Sequence, residues 1–232
     1  KMQTTITSNK IKGTKQKESI IIKTQIKRFA AFLILLVSLQ SCHKDDIETN
    51  PLDSTKYKIF SNSMRKLWSD HATWTRNLII DIAEDAPGTA VDFTRLLKNQ
   101  EDIGEAIKPY YSEEAGDKLT YLLKEHIVIA RNVFTATKSR NTDDLNLMID
   151  SLYENGDAIA MFLSTANPMN WKSHHMKEHM KEYIDLTLSE ATNHLNGNYQ
   201  GSIEAYDEIY SQLLHLADQL SSGIALQFPE KF

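Results

Sequence analysis

The run Met64-Arg65-Lys66-Leu67-Trp68-Ser69-Asp70-His71-Ala72-Thr73-Trp74-Thr75-Arg76-Asn77-Leu78-Ile79-Ile80-Asp81-Ile82 decides the fold class of this chain. Its apolar positions Leu67, Trp74, Leu78 and Ile82 recur at spacings of seven and four, the repeat of one helix face, whereas a strand would alternate every second residue. Leu122, Ile129 and Val133 repeat the same spacing further along. Between such stretches lie Pro87-Gly88, Pro109 to Gly116, Asn141-Thr142, Pro168 and Gly197 to Gly201, which leave six helical segments of about 20 to 30 residues. Ser112, Thr142 and Ser202 are expected as N-caps, because a side-chain oxygen there accepts from an otherwise unpaired amide. Short connections make neighbouring helices antiparallel, so the expected architecture is all-α: an up-and-down bundle of six helices, built as three hairpins, over residues 55–232.

The hairpins look like copies of one unit. Setting His71 on His126 brings Asp70-His71 onto Glu125-His126, Arg76-Asn77 onto Arg131-Asn132, Leu97 onto Leu152 and Asp102 onto Asp157. A looser third copy starts at Glu178-His179 and ends at Leu213 and Asp218, which suggests a repeat of about 55 residues. Each His and its Asp should lie at the same height, roughly 20 to 25 Å from the turn of their hairpin at 1.5 Å per residue. The expected result is one layer holding His71, Asp102, His126, Asp157, His179 and Asp218. Imidazole and carboxylate together suit Zn, Fe, Mn or Cu, and bundles build metal sites from inward side chains at one level. Equally, each His could give its ring N–H to the Asp of its hairpin as a buried structural pair. His175 and His179 share one helix face and form a second candidate metal pair.

Ahead of the bundle the chain changes character. Residues 1–41 hold eight of the 26 basic residues and one of the 31 acidic ones, and end in the apolar run Phe29 to Val37, long enough for a signal peptide and short for a membrane span. Lys1 stands where an initiator would, so the natural start is expected at Met2 or upstream. Leu39-Gln40-Ser41-Cys42 has the form of a bacterial lipobox, and Cys42 is the only cysteine, so no internal disulfide or thiolate cluster is available. The segments are therefore expected as a signal peptide (1–41), a lipidated Cys42 with a tether (42–54) and the bundle (55–232). After residue 41 there remain 18 basic against 30 acidic residues, a net charge of −12, which disfavours nucleic acid as a partner. There is no Gly-rich phosphate loop, no Gly-x-Ser-x-Gly elbow, and no Glu-x-x-His pair of the di-iron kind.

Two resemblances add to this reading. His43-Lys44-Asp45-Asp46 resembles the lysine-plus-acid signal of Bacteroidetes-type lipoproteins carried to the outer face of the outer membrane. Leu67-Trp68-Ser69-Asp70-His71-Ala72-Thr73-Trp74-Thr75-Arg76-Asn77, Asn99-Gln100-Glu101-Asp102-Ile103-Gly104, Leu122-Leu123-Lys124-Glu125-His126-Ile127 and the ending Gln227-Phe228-Pro229-Glu230-Lys231-Phe232 resemble a family of exported bacterial all-helical proteins. That resemblance implies the helical fold and an envelope location and carries no catalytic residue. The expected function is a lipid-anchored envelope protein, held to the outer membrane through Cys42, that binds or scaffolds an envelope partner without catalysis. The alternative is an envelope metal-binding or metal-handling protein using the His/Asp layer, and an enzyme comes third.

Overall fold

A computed structural model describes residues 50–141 and 145–232. These residues form six long helices and no strand: α1 (Thr55–Ala83), α2 (Thr89–Ile107), α3 (Glu113–Ser139), α4 (Leu145–Ala166), α5 (Ser173–Leu195) and α6 (Tyr199–Gln227), with 3-10 turns at Pro51–Asp53 and Pro229–Lys231. The expected tether thus ends in structure, because Ser54 caps α1 by accepting from the Tyr57 amide at 2.9 Å. Ser112 caps α3 as expected, accepting from Ala115 at 3.1 Å beside Glu113 and Glu114, whose charges suit a helix N-terminus. Ser202 does not cap: it lies buried within α6, and Asn198 takes that role by accepting from the Gly201 amide at 3.2 Å. The turn before it needs Gly197 at φ 75°, so the chain closes four residues earlier than the polar cluster suggested. Thr142 and Cys42 lie outside the described residues.

Each helix packs on its neighbours in the chain, α6 closes the ring against α1, and α1, α3 and α5 also meet across the middle. The three helices that meet run in one direction, so the end where α1 starts is also where α2 finishes. We call this the near end and the opposite one the far end. Buried apolar side chains from all six helices form one core, with Val133, Ala160, Ala217 and Ile224 fully excluded from solvent. Two glycines set close crossings. A Cβ on Gly104 of α2 would stand 2.7 Å from the Gly116 carbonyl of α3, and one on Gly223 would run into the indole nitrogen of Trp171, whose ring slots against α6 and donates its N–H to the Gln219 carbonyl. No helix among the described residues is long and apolar enough to cross a membrane.

Candidate functional site

Where α1, α3 and α5 meet, each contributes one polar ring to the centre: His71, His126 and Tyr183, exposed by 2%, 4% and 6%. Gln100 of α2 reaches the Nδ1 of His71 with its amide nitrogen at 3.1 Å, and the His71 Nε2 lies 2.7 Å from the Tyr183 hydroxyl. With Nδ1 accepting, the neutral imidazole carries its proton on Nε2 and donates it to the phenol oxygen. His126 takes the other tautomer, because its Nδ1 faces the carbonyl oxygen of Asn155 at 2.8 Å and must donate there. The amide nitrogen of Asn155 in turn donates to the Leu122 carbonyl and to Glu125, both at 3.2 Å, which orients that side chain.

The same linkage appears in the third hairpin. Gln212 of α6 donates to the His179 carbonyl at 3.2 Å and to Glu182 at 2.9 Å, the residues four and one before Tyr183, just as Asn155 bonds the residues four and one before His126. By this bond pattern Tyr183 stands in α5 where His126 stands in α3, one helical turn beyond His179. His179 itself is half-buried at the rim of a small void, which is also lined by Trp68, His71, His126, Tyr183 and Gln212. That void measures about 20 Å³, room for one water-sized molecule. The Trp68 indole nitrogen and the Gln212 amide oxygen are buried and have no hydrogen-bond partner among the described residues.

The aspartates of the expected layer are elsewhere. Asp102 pairs with Lys98 at 2.8 Å, Asp157 with Lys177 at 2.8 Å, and Asp218 with Arg65, all on the surface. The reason is helical phase: Gln100 and Asn155 are two residues before Asp102 and Asp157, and two residues turn a helix by about 200°, so the aspartates face out when the amides face in. His71 and His126 point inward as expected, and the partners they find there are amides. His175 is exposed and packs on His174, with ring centroids 4.0 Å apart, away from the centre. Among the described residues no group of three or more His, Cys, Asp or Glu is placed to hold a metal ion, so the six residues of the expected layer do not come together as a ligand set.

Burial dominates the electrostatics of the centre. It pushes His71 down to about 3, helped by His126 and opposed by the Gln100 hydrogen bond, and His126 down to about 4, opposed by the bond to Asn155. Burial also pushes the Tyr183 phenol up to about 12, against the pull of Thr187 and Thr75. All three are neutral at pH 7. Two turns further along α5 a charged pair is sunk in the same core: Glu190, 1% exposed, accepts from Arg76 Nη1 at 2.6 Å, and the guanidinium lies 4.8 Å from the centre of the Tyr206 ring. Burial lifts Glu190 to about 7 while Arg76 pulls it back. Sequence reasoning missed this pair. Its signal was an acid on the buried face of α5, seven residues after Tyr183 and three after Thr187, where an apolar residue belongs.

Chemically, this centre joins neutral histidines, a phenol and amides by hydrogen bonds, next to a void that takes one water-sized molecule, and the Gln100 amide oxygen and the Thr75 hydroxyl are buried there without a partner among the described residues. The chain matches no protein-family model, no curated protein and no solved structure.

Proposed function

We propose that this chain is an exported lipoprotein, acylated at Cys42 and held in the outer membrane of the bacterial envelope, whose bundle binds or scaffolds a partner without catalysis. The observation that carries the reading is that the titratable groups at the core are bonded to one another or to neighbouring amides. His71 is bonded at both ring nitrogens, His126 is bonded to Asn155, and Glu190 is held by Arg76. Titratable groups used this way fix which helix packs at which height, the best attested role of buried polar pairs. The three hairpins then act as copies of one unit of about 55 residues, in each of which an amide side chain of the second helix bonds the first. What such a bundle offers to other molecules is its outer surface, which is acidic on balance. The anchor follows from Leu39-Gln40-Ser41-Cys42, with the only cysteine of the chain at the position that lipidation requires.

Metabolic labelling with a fatty-acid analogue, followed by membrane fractionation, tests the anchor. The wild-type protein should carry label and sediment with the outer membrane, and Cys42→Ala should remove both properties. Equal membrane retention of the two forms would sink the reading. Crosslinking in intact cells tests the second half, with one discrete adduct expected from surface positions of the bundle.

A further inference from the structure

We propose that the near end of the bundle is a lipid-facing surface that rests on the membrane beside the anchor; the inference depends on acylation of Cys42. The two ends of the bundle differ in chemistry. At the near end the 3-10 turn Pro229–Lys231 folds the C-terminal residues back over the helix ends, so that the Phe232 ring stacks on Tyr110 at 5.3 Å and packs on Phe60 at 5.4 Å, while Phe228 meets Tyr111 edge-on at 5.2 Å. These rings are only partly buried. Beside them Met169 is 77% exposed, more than any other large apolar side chain described, and Ile59 is 64% exposed. Four exposed lysines, Lys56, Lys58, Lys172 and Lys231, lie at this end without an ion pair among the described residues, Lys172 and Lys231 each donating to a backbone carbonyl, and the exposed acids Asp53, Glu113, Glu114 and Glu230 lie at the same end. At the far end the corner between α1 and α2 carries Asp81, Glu84, Asp85 and Asp92, with Lys138 of α3 paired to Asp85 and no comparable ring cluster among the described residues.

Aromatic rings with one wet edge and exposed lysines on long stems suit the boundary between headgroups and acyl chains, where the rings sit at headgroup depth and the ammonium groups reach anionic phosphates. Chain length decides which end meets the lipid. Asn50 is eight positions beyond Cys42, so the start of the bundle stays within about 28 Å of the anchored cysteine even at full extension. Helix α1 has 29 residues and is about 43 Å long, so a tether that short cannot turn the far end squarely onto the membrane. The occupant that fits is a phospholipid surface containing anionic headgroups.

The test uses the mature acylated protein reconstituted in vesicles of phosphatidylcholine and phosphatidylglycerol. Because the only native thiol is consumed by the anchor, Met169→Cys and Val91→Cys each give one site for an environment-sensitive fluorophore; Val91, 70% exposed, marks the far end. Flotation with the vesicles is measured first, and its failure overturns the acylation reading together with this inference. With flotation intact, spin-labelled lipid headgroups should quench the Met169→Cys label severalfold more than the Val91→Cys label, and reversing Lys56, Lys58 and Lys172 to Glu should reduce the difference. Equal quenching at the two sites overturns the inference alone. So does a Met169→Cys label that is shielded from water but not quenched by lipid, a result that would give this face to a protein partner.

Discussion

Two polar layers cross the same core about 10 Å apart along α5, and they solve burial in opposite ways. Around Tyr183 the groups are neutral: two histidines of opposite tautomer, a phenol and two amides, joined by hydrogen bonds. Around Glu190 the groups are charged, with a carboxylate kept in the core by one guanidinium that reaches it from α1 while lying over Tyr206. Neutral layers cost little to desolvate and are sensitive to anything that would charge them. Ionic layers cost more to desolvate, and each member depends on its partner. The comparison teaches that the two layers respond to acid with opposite sign.

For the histidines, the folded pKa values of about 3 and 4 lie below the ordinary 6.5, so the unfolded chain binds protons first as pH falls and stability declines below pH 6.5. At pH 5 the loss is about 2 kcal/mol for each, about 4 kcal/mol together. For Glu190 the folded value near 7 lies above the ordinary 4.5, so acid stabilises, returning about 2 kcal/mol over the same range. Glu190→Gln should therefore expose the full histidine effect: denaturant melts of this variant at pH 7.5 and pH 5 should differ by about 4 kcal/mol, against about 2 kcal/mol for the wild type. An identical pH response in the two proteins would remove Glu190 from the account. Next in size is Arg76→Ala, expected to cost about 3 kcal/mol at pH 8 by stranding a buried carboxylate, and clearly less at pH 5, where Glu190 can be neutralised by a proton. A pH-independent cost would mean that Arg76 acts only by packing on Tyr206.

His126→Ala should cost about 2 kcal/mol, because it removes packed volume and leaves the Asn155 carbonyl oxygen without its donor. Asp157→Ala, two residues along the same helix, should stay within about 0.5 kcal/mol, since its ion pair with Lys177 is exposed. Thermal or urea melts of these two variants separate an amide-bonded centre from a carboxylate-bonded one. Comparable losses in both would restore Asp157 to the centre.

Much of this protein was legible in its sequence because it depends on period and punctuation. The spacing of Leu67, Trp74, Leu78 and Ile82 announces a helix, the Pro and Gly clusters announce the turns, and Ser112 announces a cap, all of which are local properties of the chain. His71 and His126 were also legible as inward-facing, since they share the phase of apolar neighbours. Their partners were not. Asp102 and Asp157 are the chemically obvious matches for imidazole and lie close in sequence to Gln100 and Asn155, yet a shift of two residues moves a side chain to the opposite face. The third hairpin hid the same lesson: His179 matched by residue type, whereas Tyr183, which matched by position, did not look like a histidine. Arg76 and Glu190, 114 residues apart, share no local pattern at all.

The sequence by itself determined that the chain folds as six helices in hairpins, because helix formation and termination are read from residues within a few turns of one another. It also determined the segment ahead of the bundle and the single cysteine at its junction. Only the tertiary structure decided that the central histidines bond to amides and a phenol, that a charged pair lies two turns further on, and that the aromatic C-terminus closes the near end. Those outcomes depend on the rotation of each helix about its axis and on its height against neighbours far away in sequence. Both are set by packing all six helices at once.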